Sequence, residues 1–159
     1  MNTEELLLKT AFCCMACDGE IAPKEVALLK KLAKEEKLFG DLKIAKVVNS
    51  FVDQLNEQGY FFVDAYLKEL SDAYMSEEEQ LAIIKTALVT IKADEKVEYT
   101  EIGFFKQIRE KLSIAESVIL SAFPDELEIE DYLLPDSIDK LSVLWLVSFS
   151  VIQFKELLE

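Results

Sequence analysis

The chain has 159 residues, about half of them apolar, and its 31 acidic side chains outnumber the 17 basic ones to give a formal net charge of −14. This length suits a single domain that can bury a sizeable core. The charge disfavours binding to nucleic acid and to anionic membrane surfaces, which repel acidic proteins. It favours cations or basic partners, as well as general solubility.

The beginning of the chain and its most apolar segment carry no sign of export or of membrane insertion. Glu4 and Glu5 stand where a signal peptide needs basic residues. The longest apolar stretch, 141–154, is interrupted by polar side chains and is shorter than the roughly 20 residues of a membrane-spanning helix. We therefore expect a cytoplasmic protein without direct membrane insertion.

The first third of the chain predicts two helices joined by a short turn. Glycine and proline are scarce, with four and three residues, and apolar residues recur at helical spacing. Asn2 and Glu5 have the spacing of a capping box at the start of the first helix. The apolar stripe of this helix is Leu7, Leu8, Ala11, Phe12 and Met15. Gly19 can close it in the left-handed conformation, and Pro23 suits the first position of the second helix.

The middle of the chain predicts three further helices. Gly59 ends the third, and Ser76 with Glu79 has the spacing of a capping box that opens the fifth. The residues of the fourth helix that we expect to face inward are Phe62, Tyr66, Leu70 and Tyr74.

Consecutive aromatic residues raise a question about burial at two places. Residues 60–62 are all aromatic, and so are Phe104 and Phe105, yet neighbouring residues of a helix cannot all face one core. The simpler interpretation is a helix that is buried on two sides. The alternative is that some of these rings are exposed as a site for a partner.

The last part of the chain is less regular. A sixth helix is predicted over about 99–112, and Ser113 with Glu116 predicts a capped seventh helix. The acidic, partly alternating tail leaves a loop, an extended segment and a final helix open. We expect an all-α fold, a compact bundle of about seven to eight helices, in which residues 1–123 form the domain and 124–159 a C-terminal extension packed on it.

The chain repeats itself when it is shifted by 76 positions, which places 6–33 over 82–109. Identical residues at matched positions are Lys9 with Lys85, Thr10 with Thr86, Ala11 with Ala87, Asp18 with Asp94, Glu25 with Glu101 and Lys30 with Lys106. Such self-similarity predicts two pseudo-symmetric helical hairpins packed on each other, because neither can bury its apolar face alone.

Each hairpin has an apolar helix that ends near an aspartate, a short loop, and a second helix that opens on a glutamate. This pattern, over 6–112, resembles the TerB-like family of tellurite-resistance proteins. The resemblance implies an all-helical bundle whose acidic junction residues chelate a metal. By resemblance, the ligands would be Asp18, Glu25, Asp94 and Glu101. Glu95 departs from the pattern, since the first copy has Gly19 at that position.

The chemistry of these junctions is that of clustered carboxylates. Two carboxylates about 4 Å apart repel by roughly 4 kcal/mol at an effective dielectric near 20, and a divalent cation removes that cost. Oxygen ligands suit calcium, magnesium or manganese, whereas the absence of histidine disfavours a usual zinc site. Glu20 and Glu98 on the loops are additional candidate ligands.

A purely structural interpretation of the same residues also stands. Glu25 falls in a first helical turn, where a negative charge complements the helix dipole by roughly 0.3–1 kcal/mol. Asp18 with Gly19 is an ordinary turn dipeptide. In this interpretation the junction acids only cap helices and bind no metal.

The three cysteines, Cys13, Cys14 and Cys17, are an odd number packed close together and do not suggest a disulfide framework. They lie towards the C-terminal end of the first helix, where the dipole disfavours the thiolate. Their matched positions in the second copy hold small residues. We expect buried packing, with a role in binding soft metals or oxyanions as the alternative.

These observations support one leading hypothesis and two alternatives. The leading hypothesis is a non-enzymatic, cytoplasmic TerB-like protein of a stress response that binds a divalent cation at its junctions. The first alternative is an acidic interaction module without a metal, which recruits a basic or membrane-associated protein partner. An enzyme is the weakest hypothesis, because the sequence has no histidine, no glycine-rich phosphate loop and no nucleophile elbow.

Overall fold

The computed structural model describes residues 3–16, 23–35, 39, 43–92 and 99–124. Within these residues it contains seven helices and no strand, which confirms the all-α prediction. The helices are α1 (Thr3–Ala16), α2 (Pro23–Glu35), α3 (Ile44–Gln58), α4 (Tyr60–Asp72), α5 (Glu77–Ile91), α6 (Tyr99–Lys111) and α7 (Glu116–Ala122). None of these helices combines the length and the apolar character needed to cross a membrane. The predictions for the C-terminal tail, residues 125–159, lie outside the described residues.

Helix α1 lies at the centre of the fold. Every residue from Leu6 to Ala16 is buried, so the helix is covered on all sides and the prediction of a single apolar stripe was too narrow. Its most extensive neighbour among the described helices is α5. The matched alanines Ala11 and Ala87 are both fully buried. Small residues at such positions allow two helices to approach closely.

The sequence repeat is visible in the structure. Helix α6 begins and ends 76 residues after α2, so the two helices have the same length and the same place in their copies. The matched threonines also form the same bond: Thr10 Oγ1 donates to the Leu6 carbonyl at 2.8 Å, and Thr86 Oγ1 donates to the Ala82 carbonyl at 2.8 Å. In addition, α3 packs on α1 as α7 packs on α5. The bounds of α2 and α6 and the bonds of the two threonines therefore match between the copies.

The two central helices run in the same direction. Thr3, in the first turn of α1, donates a hydrogen bond of 2.7 Å from Oγ1 to Oε2 of Glu79, in the first turn of α5. Because the helices are joined at their starts and pack closely, we infer that they lie side by side and parallel. Their last residues, Ala16 and Ile91, then lie at the same end of the bundle.

Local signals account for several helix ends. The Ser76–Glu79 capping box is confirmed, since each side chain accepts a hydrogen bond of 3.1 Å from the other's backbone N–H. Gly59 adopts a φ of 59° between α3 and α4, a conformation that glycine takes without strain. The prediction that Ser113 caps α7 was wrong. The N-cap residue is Ala115, and the Ser113 N–H instead donates to Oε1 of Gln80 at 2.9 Å.

The two groups of consecutive aromatic residues differ in how far their side chains are buried. Phe104 and Phe105 are both fully buried, as expected for a helix covered on two sides. Phe62 is buried, whereas its neighbour Phe61 is 75% exposed. Tyr74 was predicted to face inward, but α4 ends at Asp72, and the Tyr74 side chain is fully exposed.

Candidate functional site

The predicted cation ligands lie at or beyond the edges of the described residues. Glu25 is the third residue of α2 and Glu101 is the third residue of α6, so the backbone places them equivalently in the two copies. Their side chains lie outside the described part of the structure, as do the other four candidates, Asp18, Glu20, Asp94 and Glu98. Among the side chains that are described, no group of three or more acidic or cysteine residues is arranged to hold a metal ion.

The described helices nevertheless fix where the two junctions start. The first junction follows Ala16 at the end of α1, and the second follows the last turn of α5. Since α1 and α5 are parallel, both junctions leave the central helix pair at one end of the bundle. The sequence left open whether the two junctions form one site or two, and the junction residues themselves lie outside the described part of the structure.

A second cluster of polar groups lies inside the fold, between α1 and α4. Lys9 Nζ donates to Oε1 of Glu69 at 2.8 Å, and its side chain is only 5% exposed. The same ammonium lies 4.6 Å from the ring centroid of Phe62 and 5.8 Å from that of Phe51. A cation over aromatic faces is stabilised by about 0.5–2 kcal/mol, depending on desolvation. Lys9 is therefore held by one carboxylate and by two aromatic rings.

A buried hydroxyl pair adjoins this cluster. Thr10 Oγ1 and the Tyr66 hydroxyl are 2.6 Å apart. Burial raises the pKa of Tyr66 well above its ordinary value, and the nearby Cys14 and Cys13 raise it further. Tyr66 therefore stays a neutral phenol that can donate or accept a hydrogen bond.

The two described cysteines are buried, as expected from the repeat. Burial raises the pKa of the Cys13 thiol, an effect that Lys9 partly offsets and Glu69 reinforces. A thiol in this state is a poor nucleophile and a poor metal ligand. The packing interpretation thus fits Cys13 and Cys14, while Cys17 lies outside the described residues.

Behind Glu69 a groove of about 430 Å³ opens to the surface. Its lining residues are Leu6 of α1, Ala65, Lys68, Glu69 and Asp72 of α4, and Ala73. The second carboxylate oxygen of Glu69, Oε2, is buried and has no hydrogen-bond partner among the described residues. An unsatisfied buried oxygen is costly, and this one is shielded from the groove by its own burial.

Sequence patterns did not reveal the roles of Lys9 and Glu69. The available signal was the lysine itself, a charged residue in the run Leu6-Leu7-Leu8-Lys9-Thr10-Ala11-Phe12. A charge inside such a run needs a partner if it is buried. The partner lies 60 residues further along the chain, and helical periodicity carries no information on so distant a contact.

No protein-family model, no curated protein and no solved structure matches this chain. The resemblance to the TerB-like family therefore depends on the junction residues alone and stays a prediction. The class that the structure itself defines is an all-α helical bundle.

Proposed function

We propose that this chain is a non-enzymatic TerB-like protein of the cytoplasm that binds a divalent cation through its two acidic junctions and acts in a stress response. The observation that carries the proposal is the hydrogen bond between Thr3 and Glu79, from which we infer that α1 and α5 are parallel. Both junctions would then start at the same end of the bundle, as a cation site shared between them requires.

The equivalence of the two copies adds support. Glu25 and Glu101 occupy the third position of two helices whose bounds match after a shift of 76 residues. In the proposed site, each of the two acidic junctions would contribute oxygen donors. Such a donor set suits calcium, magnesium or manganese, which prefer oxygen ligands.

The residues that would hold the cation are the aspartates and glutamates of the junctions: Asp18, Glu20, Glu25, Asp94, Glu98 and Glu101. The bound ion would supply positive charge that offsets the repulsion between these carboxylates. This role requires no catalytic step, in keeping with a protein whose sequence contains no histidine.

The test is calorimetric titration of chelator-stripped protein with calcium, manganese and magnesium, accompanied by thermal unfolding. We expect saturable binding of at least one cation. At 100 times the dissociation constant, the cation should add about 2.7 kcal/mol to the free energy of unfolding. For a chain of this size, each kcal/mol corresponds to a rise in Tm of about 2–4 °C.

Matched variants locate the site. Asp18→Asn combined with Asp94→Asn should abolish binding. Asp53→Asn combined with Glu110→Gln removes the same charge from exposed positions on α3 and α6, and should leave binding unchanged. The proposal is wrong if no cation produces heat or a rise in Tm, or if both double variants bind equally well.

A further inference from the structure

The sequence contains a long apolar segment without charge, residues 141–154. Ten of these fourteen residues are apolar and the other four are serine or glutamine, while Lys140 and Lys155 bound the segment. It includes Trp145, the single tryptophan of the chain. Because the removal of apolar surface from water is favourable, such a segment is stabilised by an apolar surface that covers it.

The outer side of α4 offers such a surface. Phe61, at the start of the helix, is 75% exposed, and Tyr74, just beyond its end, is fully exposed. The groove described above has apolar walls from Leu6, Ala65 and Ala73, and its α4 residues fall between the two exposed aromatics along the chain. Exposed apolar side chains beside a groove are typical of contact sites.

The charges of the groove select an uncharged occupant. Glu69 is paired with Lys9 at 2.8 Å, so this carboxylate is already neutralised. The other charged residues of the lining are one lysine and one aspartate, Lys68 and Asp72. Balanced charges give no electrostatic preference for an acidic or a basic ligand. Residues 141–154, which carry no charge, fit this condition.

The chain that leads to this segment starts close to the groove. Gln80 Nε2 donates to the Met75 carbonyl and to Ser113 Oγ, each at 3.1 Å. Because Met75 follows Tyr74 directly and Ser113 lies just before α7, α7 begins beside the Tyr74 end of the groove. Helix α7 has seven residues and is about 10 Å long. The residues 125–140 can span up to about 50 Å, so the apolar segment can reach the groove.

We propose that residues 141–154 of the same chain dock on the α4 surface, defined as Phe61, Tyr74 and the groove between them. The contact removes apolar surface of both partners from water. The connection through 125–140 keeps the segment at a high effective concentration beside the groove. This proposal is independent of the cation site, because it uses none of the junction residues.

The first test measures proximity in the full chain through disulfide formation. In a Cys17→Ser background, Ala65→Cys in the groove is combined with a second cysteine in the apolar segment. The segment positions replaced by cysteine, one in each protein, are Ser142, Ser148 and Ser150. Oxidised glutathione is the oxidant. Matched proteins carry Ala45→Cys, at an exposed alanine of α3, in place of Ala65→Cys.

A disulfide requires that the two Cα atoms approach within about 7 Å. We therefore expect at least one Ala65→Cys protein to form a bond within the chain at least about tenfold faster than every Ala45→Cys protein. Gel electrophoresis without reductant separates this product from a disulfide-linked dimer.

The second test uses Trp145 as a probe of burial and needs no added cysteine. In the wild type, we expect Trp145 to emit as a buried indole and acrylamide to quench it weakly. Ala65→Arg places a charge in the apolar groove, so the emission should shift to longer wavelength and quenching should increase. Ala45→Arg should change neither, and thermal unfolding checks that both variants are folded.

Three outcomes overturn the proposal. The first is equal rates of disulfide formation from Ala65→Cys and Ala45→Cys, which would place the segment elsewhere. The second is a bond between two chains instead of within one, which would make a second copy the occupant of the groove. The third is a Trp145 emission that is already that of an exposed indole in the wild type, or that Ala65→Arg leaves unchanged.

Discussion

Thr3 and Glu79 occupy equivalent positions in the two copies of the repeat, and they contact each other through a hydrogen bond of 2.7 Å. When matched residues of two pseudo-symmetric units touch, the axis that relates the units passes near them. This contact therefore marks where the two hairpins meet. It joins the N-terminal ends of α1 and α5, and so it sets the parallel direction on which the proposed cation site depends.

The Thr3–Glu79 contact predicts a specific acid sensitivity. The hydrogen bond from Thr3, followed by those from Ser76, lowers the pKa of Glu79 below its ordinary value of 4.5. These bonds favour the ionised carboxylate in the folded state. Their contribution is therefore complete above pH 4.5 and is lost as the pH falls through the lower folded value.

We expect Glu79→Gln to lower Tm at neutral pH. We also expect Tm to fall less on acidification in this variant than in the wild type. The measurement is Tm between neutral and acidic pH for the wild type and the variant. Glu78→Gln removes a neighbouring exposed charge from the same helical turn and serves as the control. An unchanged pH profile in Glu79→Gln would contradict the assignment.

The ion pair between Lys9 and Glu69 predicts that substitutions of its two members lower the free energy of unfolding by strongly unequal amounts. Glu69→Ala leaves a buried ammonium without its carboxylate and should cost about 2–3 kcal/mol, below the range for fully buried pairs because Glu69 is partly exposed. Lys9→Met keeps the apolar stem and should cost about 1 kcal/mol or less. The double variant should be close to Lys9→Met. Urea unfolding of the four proteins gives the coupling energy.

The repeat supplies a control for this comparison of the wild type, the two single variants and the double variant. Lys85 matches Lys9 but is exposed on α5. Lys85→Met should therefore change the free energy of unfolding by no more than about 0.5 kcal/mol, as is usual for surface positions. Additive effects of Lys9→Met and Glu69→Ala would show that the pair is not coupled.

The two matched threonines predict a difference between the copies. Thr10→Val removes the Thr10 partner of the buried Tyr66 hydroxyl and should cost about 1–3 kcal/mol. Thr86→Val removes the matching bond to a helix carbonyl and should lower the free energy of unfolding by less, because Thr86 Oγ1 donates to the Ala82 carbonyl of its own helix and not to a tyrosine. Tyr66→Phe in the Thr10→Val background should recover part of the loss, since it removes the hydroxyl. Equal costs at Thr10 and Thr86, measured by urea unfolding, would contradict this account.

The buried cysteines predict slow thiol chemistry. In a Cys17→Ser background, Cys13 and Cys14 should resist a disulfide-exchange reagent at pH 8 and react only as denaturant opens the fold. The measurement is the rate of thiol labelling against urea concentration. Rapid labelling of the folded protein would contradict this prediction and support the alternative that these thiols bind soft metals or oxyanions.

Much of the helical framework could be predicted from short stretches of sequence. Pro23 begins α2, Ser76 caps α5, and Gly59 separates α3 from α4, as their residue types indicate. The repeat was also visible without any structure. These features depend on backbone geometry and on near neighbours, which periodicity and capping rules describe well.

Other features could not be predicted because they depend on contacts that are remote in sequence. Ser113 fits a capping rule, yet its N–H is bound by Gln80, which lies 33 residues away. Tyr74 has the spacing of an inward residue, but α4 ends before it. In both cases a local pattern was present, and another part of the fold determined the outcome.

Lys9 and Lys85 show where this division lies. The sequence alone determined that the two lysines are equivalent, at matching places in matching helices. Only the tertiary structure decided that one is exposed and the other is buried against Glu69, Phe51 and Phe62. The physical reason is that helix formation is governed by neighbouring residues, whereas burial depends on what packs against each face. Here α4 brings a carboxylate and an aromatic ring to the first copy.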